Sequence, residues 1–183
     1  MIAFLVIDMQ AGLFGSPASR YDASGVIQRI NTVSAAVRRR GGTIVFIQHD
    51  DPAGGDLEPG SPGWELLAPL ARTSSDVVVR KTACDAFYQT ELADMLERLQ
   101  VHELVIAGYA TDFCVDTTIR AAASRAYDVT VVADVHTTAD RPHLNAAAII
   151  EHHNWMWQNL IVPRHPLRVI PAAQLVEGMA SWI

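Results

Sequence analysis

Short apolar, β-branched runs alternate along the chain with longer stretches of helical period. The runs at 2–7, 43–47, 77–79, 104–107, 129–133 and 167–170 predict six strands. They are continuously apolar rather than alternating, as expected of strands buried on both faces of a parallel sheet. Helices are predicted at 25–39, 90–99, 113–126 and 142–160. Thr90 with Glu91 suits a helix start, Pro142 a first turn and Gly41-Gly42 a helix end. The repeated strand-then-helix order predicts a three-layer α/β/α domain with right-handed crossovers. Residues 50–63, rich in Gly, Pro and acidic side chains, read as a long binding loop or lid. No repeat or linker interrupts the pattern, so 1–183 is read as one domain.

Composition narrows the possibilities. Half the residues are apolar and 19% charged, the balance of an ordinary globular chain. A net charge of −6 argues against a nucleic-acid partner, which would require a concentrated basic surface. The one basic run, Arg38-Arg39-Arg40, closes a predicted helix and there complements its dipole. The apolar start has no basic leader and is interrupted at Asp8, so neither a signal peptide nor a membrane span is expected. Two cysteines, Cys84 and Cys114, give no disulfide framework, and a reducing cytoplasm is the expected compartment. Against thirteen arginines stands a single lysine, Lys81. Either the composition is simply Arg-biased, or this position needs a compact, tunable point charge that Arg cannot supply.

In open α/β sheets ligands bind beyond the carboxyl ends of the strands, where strand order reverses. The residues that follow the predicted strands are Asp8, His49 and Asp50, Lys81, the run from Gly108 to Cys114, and Asp134. Asp8 follows six apolar residues, a costly place for a carboxylate without a partner; a helix cap or an Arg pair would also explain it. Cys114 falls where a loop becomes a helix, which favours its thiolate, although a lone cysteine there is more often a small buried apolar group. Together the three types make chemical sense. Asp8 can take the thiol proton, Lys81 can hold Asp8 ionised, and amides of the turn can stabilise an oxyanion.

These residues carry a family resemblance. The run Gly108-Tyr109-Ala110-Thr111-Asp112-Phe113-Cys114 resembles the nucleophile motif of isochorismatase-like cysteine hydrolases. Asp8-Met9-Gln10 with Phe14 is similar to their first motif, and Lys81 with Ala86-Phe87 and Thr90 to their lysine motif. The resemblance implies a six-stranded parallel sheet of order 3-2-1-4-5-6 and an Asp8–Lys81–Cys114 triad. It further implies a cis peptide at Tyr109–Ala110 and an oxyanion hole formed by the backbone N–H groups of Ala110 and Cys114.

Within that family the nicotinamidase metal motif is not matched, since Gln48-His49-Asp50-Asp51 offers one imidazole and loose carboxylates. No metal or cofactor is therefore expected, and His49 reads as a pocket residue. The resemblance to the subgroup of streptothricin hydrolases and N-carbamoylsarcosine amidases implies hydrolysis of an amide or lactam bond of a small molecule. Vinyl-ether hydrolysis, ligand binding without turnover and redox sensing through Cys114 remain alternatives. Phe14, Trp64, Phe87, Tyr109 and Phe113 are the expected pocket walls. Trp155, Met156 and Trp157 suggest either core packing or a subunit interface, and with the family habit a homo-oligomer is expected.

Overall fold

The computed structural model describes residues 1–15 and 20–180. Six strands form one parallel sheet of order β3-β2-β1-β4-β5-β6. They are β1 Ile2–Ile7, β2 Thr43–His49, β3 Val77–Lys81, β4 Glu103–Tyr109, β5 Asp128–Thr137 and β6 Arg168–Ile170. The helices are α1 Ala23–Arg39, α2 Leu92–Arg98, α3 Asp116–Ser124, α4 Ala146–Gln158 and α5 Ala172–Ala180. Strand order reverses between β1 and β4, so the carboxyl ends of these two central strands frame a crevice.

The continuous apolar strands divide their side chains between two cores. Ala3, Leu5 and Ile7 of β1 face α2, α3 and α4 together with Val45 and Ile47 of β2. Phe4 and Val6 point the other way, with Ile44 and Phe46, into a core closed by α1 and α5. Helix α1 contributes Val26, Ile30, Val33 and Val37, three or four residues apart on one stripe. Each such side chain removed from water stabilises the fold by roughly 1.5–3 kcal/mol before entropy is counted. The helix stops where expected: Gly41 takes φ +69°, which lets the Gly42 N–H bond back to the Val37 carbonyl at 3.0 Å.

Several sequence expectations need correction. The helix placed at 142–160 begins at Ala146, where the Asn145 side chain accepts from Ala148 N–H at 2.8 Å. Pro142 instead lies in the turn bridged by Arg141 and Leu144. The helix placed at 113–126 opens as one wide π turn, Thr111–Val115, before α3. Helix α5 was not legible, and β5 runs to Thr137 rather than stopping at residue 133. Asp134 accordingly lies inside β5, where Oδ1 accepts from Ala172 N–H at the start of α5 and the carbonyl accepts from Arg29. It serves the helix layer, not the crevice.

The loop at 50–63 is tied down at its far end. Ala11 N–H bonds Glu65 O, Gly12 N–H bonds Gly63 O, and Leu67 N–H bonds Met9 O, all at 2.8–2.9 Å. The chain before Trp64 thus returns alongside the segment that follows Asp8.

Candidate active site

Three strand ends bring Asp8, Lys81 and Cys114 together. Asp8 leaves β1 with φ +49°, a left-handed conformation costing a non-glycine residue about 1–3 kcal/mol. Its N–H still bonds Ile47 O at 2.9 Å, so the kink turns the side chain without losing the sheet bond. Lys81 ends β3, and Cys114 lies in the π turn that follows β4. Such wide turns recur where a side chain must be re-aimed.

Gly108 makes the approach of β4 to β1 possible. Its φ is +126°, and a Cβ there would run into the backbone of Ile7, its register partner. The following Tyr109–Ala110 peptide is cis. The Ala110 carbonyl then accepts the N–H groups of Phe113 at 3.0 Å and Val115 at 3.1 Å, on either side of Cys114.

Lys81 is the hub. Its side chain is 0% exposed and that of Asp8 3%. The ammonium donates to Asp8 Oδ2 at 2.8 Å and to Cys114 Sγ at 3.4 Å, and lies 3.3 Å from His49 Nδ1. An ammonium has three protons and no acceptor, so Nδ1 must accept and the His49 proton sits on Nε2. That nitrogen lies 3.4 Å from Asp51 Oδ1. Asp8 Oδ1 is buried and has no hydrogen-bond partner among the described residues.

The electrostatics differ from the sequence expectation in one respect. Burial, then the negative charge of Asp8, push the Cys114 thiol well above its ordinary range, and Lys81 only partly offsets them. The resting group is therefore a thiol and not the thiolate that a helix start alone would favour. Burial pulls the Lys81 ammonium down, but Asp8 and Cys114 together outweigh it and leave its pKa raised.

The expected pocket residues divide into groups. Phe14 meets Tyr109 edge-on at 5.4 Å, and the Arg20 guanidinium lies over the Tyr109 ring. Phe113 is 53% exposed, with Arg141 over its ring at 5.1 Å. Trp64 is held by its indole N–H to Asp50 at 2.7 Å, and Arg80 both pairs with Asp50 and covers the ring. Phe87 is packed in the core with Tyr127 and Arg125, neither of which belongs to the Lys81 group. Cys84 is exposed, and its carbonyl is bonded by Thr118. Trp157 is fully buried while Trp155 is 63% exposed, so only the second lies on the surface.

Sequence reasoning gave no role to three groups that shape the crevice. Gln10 is fully buried: Oε1 accepts from His49 N–H at 2.8 Å, and Nε2 donates to His49 O and Trp64 O. Its place two residues past Asp8 was the available signal. Asp112 accepts from Thr138 at 2.6 Å and from Arg141 at 2.8 and 3.0 Å. Burial pushes its carboxyl up, but these donors outweigh that and leave its pKa lowered. His136 is buried beneath the turn, with Nδ1 at 2.9 Å from Thr111 Oγ1 and Nε2 at 3.0 Å from Asn154 Oδ1. It lies beyond the run predicted at 129–133, so the sequence carried no signal for it.

Comparison with known proteins identifies the family. The isochorismatase domain matches residues 2–156. Streptothricin hydrolase of Streptomyces noursei is 35% identical over 140 residues, covering 76% of this chain and 56% of that enzyme. The chain spans about half the length of the two streptothricin hydrolases it matches, 56% and 51%. Ureidoacrylate amidohydrolase RutB of Methylorubrum extorquens is 30% identical over an alignment covering 79% of this chain and 73% of its own. A crystal structure of an isochorismatase family protein superposes with a TM-score of 0.83 at 37% identity, covering 92% and 97% of the two chains.

Proposed function

The chain belongs to the isochorismatase family of hydrolases, and from that premise we propose that it cleaves a C–N bond of a small amide, ureido or lactam substrate through a thioester on Cys114. The observation that carries the reading is the buried Lys81 ammonium, which donates to Asp8 and Cys114 at once. Removing charged groups from water is expensive, and a carboxylate, an ammonium and a thiol gathered in one crevice fit a proton-transfer task better than a packing task.

Asp8 takes the Cys114 proton as the sulfur attacks the carbonyl carbon, and the carbonyl π pair becomes an oxyanion. The Ala110 and Cys114 amides are its assigned donors, an arrangement worth several kcal/mol when preorganised. Collapse of the tetrahedral adduct breaks the C–N bond, and Asp8 hands its proton to the leaving nitrogen. Water then attacks the thioester, with Asp8 taking one of its protons. Sγ leaves and recovers that proton, and the carboxylic acid product departs. Lys81 holds the Asp8 carboxylate in place through their 2.8 Å ion pair. Because the resting thiol is pushed up, deprotonation is coupled to attack.

Phe14, Tyr109, Phe113, Trp64 and His49 supply the walls in this reading, and the amidohydrolase relatives favour C–N over vinyl-ether cleavage. The test is a panel of ureido, N-carbamoyl, lactam and simple amide compounds, with ammonia or amine release as readout and hydroxylamine to capture an acyl-enzyme. Release that stops in Cys114→Ala and a hydroxamate product support the reading. Turnover that survives Cys114→Ala overturns the covalent route.

A further inference from the structure

His136 is the one imidazole among the described residues that has no exposed face yet touches the nucleophile turn. It is 1% exposed and sits opposite Gly108 in the β4–β5 register. That register jumps from Ile106↔Val131 to Gly108↔His136, a bulge that carries β5 onward beneath the turn. The last two residues of β5 and the one that follows it each hold a different segment. Thr137 donates to Tyr21 O, Thr138 donates to Asp112, and His136 meets Thr111.

In a neutral ring the hydrogen bonds fix every proton. Asn154 Nδ2 donates to the Ala133 carbonyl at 2.9 Å, so its Oδ1 is the acceptor that faces His136. The imidazole Nε2 must then carry the hydrogen, and Nδ1 is left with a lone pair. Thr111 Oγ1 therefore donates to Nδ1 at 2.9 Å. The relay runs one way, from the Thr111 hydroxyl through a neutral imidazole to Asn154, and its far end is anchored in β5. The His136 and Trp157 rings pack edge-to-face with centroids 5.1 Å apart, which restrains the imidazole. Burial holds the His136 pKa down at about 4, in keeping with a neutral ring.

Thr111 follows Ala110 directly, and its carbonyl accepts the N–H of Asp116, closing the π turn around Cys114. We propose that His136 and Thr111 are positioning residues, which hold the Ala110 amide in place to receive the oxyanion while taking no part in activating the thiol. This rests on the covalent reading of Cys114. The relay touches neither Asp8 nor Lys81, so the two functions separate: thiol activation lies on the Asp8–Lys81 side and oxyanion placement on the His136 side.

The experiment uses two probes of Cys114 on the whole protein. Iodoacetamide, mapped to the Cys114 peptide by mass spectrometry, reads thiol activation without forming an oxyanion. Acetaldehyde adds reversibly: Sγ bonds the carbonyl carbon, the π pair moves to oxygen, and the thiol proton passes to Asp8. Its affinity, read as protection from iodoacetamide, samples the oxyanion position. In Thr111→Val, which is isosteric but has no hydroxyl, alkylation stays at the wild-type rate while half-protection needs roughly tenfold more aldehyde or above. Thr111→Ser restores the wild-type value, and His136→Leu repeats the valine result. Unchanged protection in Thr111→Val overturns the proposal. So does a parallel loss of alkylation, which would place the relay on the thiol side. Absence of any aldehyde protection in the wild type would remove the covalent reading itself, and the relay's role with it.

Discussion

His136 gives the molecule an acid weakness whose size follows from burial. In the unfolded chain an imidazole takes its proton near pH 6.5, whereas in the fold His136 refuses it until about pH 4. A depressed histidine stabilises the fold fully above its unfolded pKa, and the benefit is lost as pH falls from 6.5 towards 4. The charged form has no solvent and no carboxylate in hydrogen-bond contact, only Thr111 and Asn154, and burial with His153 nearby outweighs the attraction of Asp134. Between pH 7 and pH 5 the linkage amounts to about 2 kcal/mol. At a urea slope of about 2 kcal/mol/M, the unfolding midpoint drops by about 1 M from this group alone. Urea titrations at both pH values, for wild type and His136→Gln, isolate it, because all other titrating groups are common to the pair. The variant starts less stable but loses about 2 kcal/mol less between pH 7 and 5. Equal losses in the two proteins would show that His136 protonates in place, and would refute the reasoning.

Other perturbations have similarly direct readouts. Lys81→Met leaves the Asp8 carboxylate buried without its ammonium; a broken buried pair costs about 3–5 kcal/mol, so the thermal midpoint falls and turnover disappears. Gly108→Ala drives a methyl group into the Ile7 backbone at φ +126°, and should cost at least about 2 kcal/mol in urea unfolding. A value below about 0.5 kcal/mol would mean that β4 can retreat from β1 freely. Trp157→Ala empties the core beneath α4 and strips the indole bond to Asp116 at 2.8 Å, for a loss of about 3–5 kcal/mol by denaturant titration.

The sheet was legible because its signal is local. Continuous apolar runs give strands, and their alternation with helical stretches gives a parallel α/β order. The strand ends then pick out Asp8, Lys81 and the Cys114 turn, and the structure does bring these three together. What the sequence hid depends on the register. Asp134 looked like a strand-end carboxylate because the β5 bulge, which carries the strand four residues further, has no compositional mark. His136 was invisible for the same reason. Phe87 fitted the lysine motif, yet its ring packs with Tyr127 and Arg125, a choice set by which way the 82–91 segment rolls. Helix α5 was missed because its start is capped by Asp134 from another element, not by a neighbouring residue.

The protonation state of Cys114 decides how its reactivity depends on pH. A helix start and a nearby ammonium suggested a ready thiolate, but the thiol is half-buried and shares Lys81 with a carboxylate. Lys81 sits closer to Asp8, at 2.8 Å against 3.4 Å to sulfur, so its charge is largely spent on the carboxylate. Burial and Asp8 then win, and the thiol stays protonated. An unassisted thiol in that position would alkylate through its rare thiolate, with a rate rising tenfold per pH unit across the neutral range. A thiol that hands its proton to Asp8 during attack needs no preformed thiolate, so its rate is not tied to that rise. Cys114 alkylation by iodoacetamide should therefore be nearly flat from about pH 6 to 9, in contrast to the steep rise of a small free thiol measured beside it. In Asp8→Asn the flat component should vanish and only a small rising rate remain. A tenfold-per-unit rise at Cys114 in the wild type would show that Asp8 takes no proton, and the coupling of deprotonation to attack would have to be abandoned.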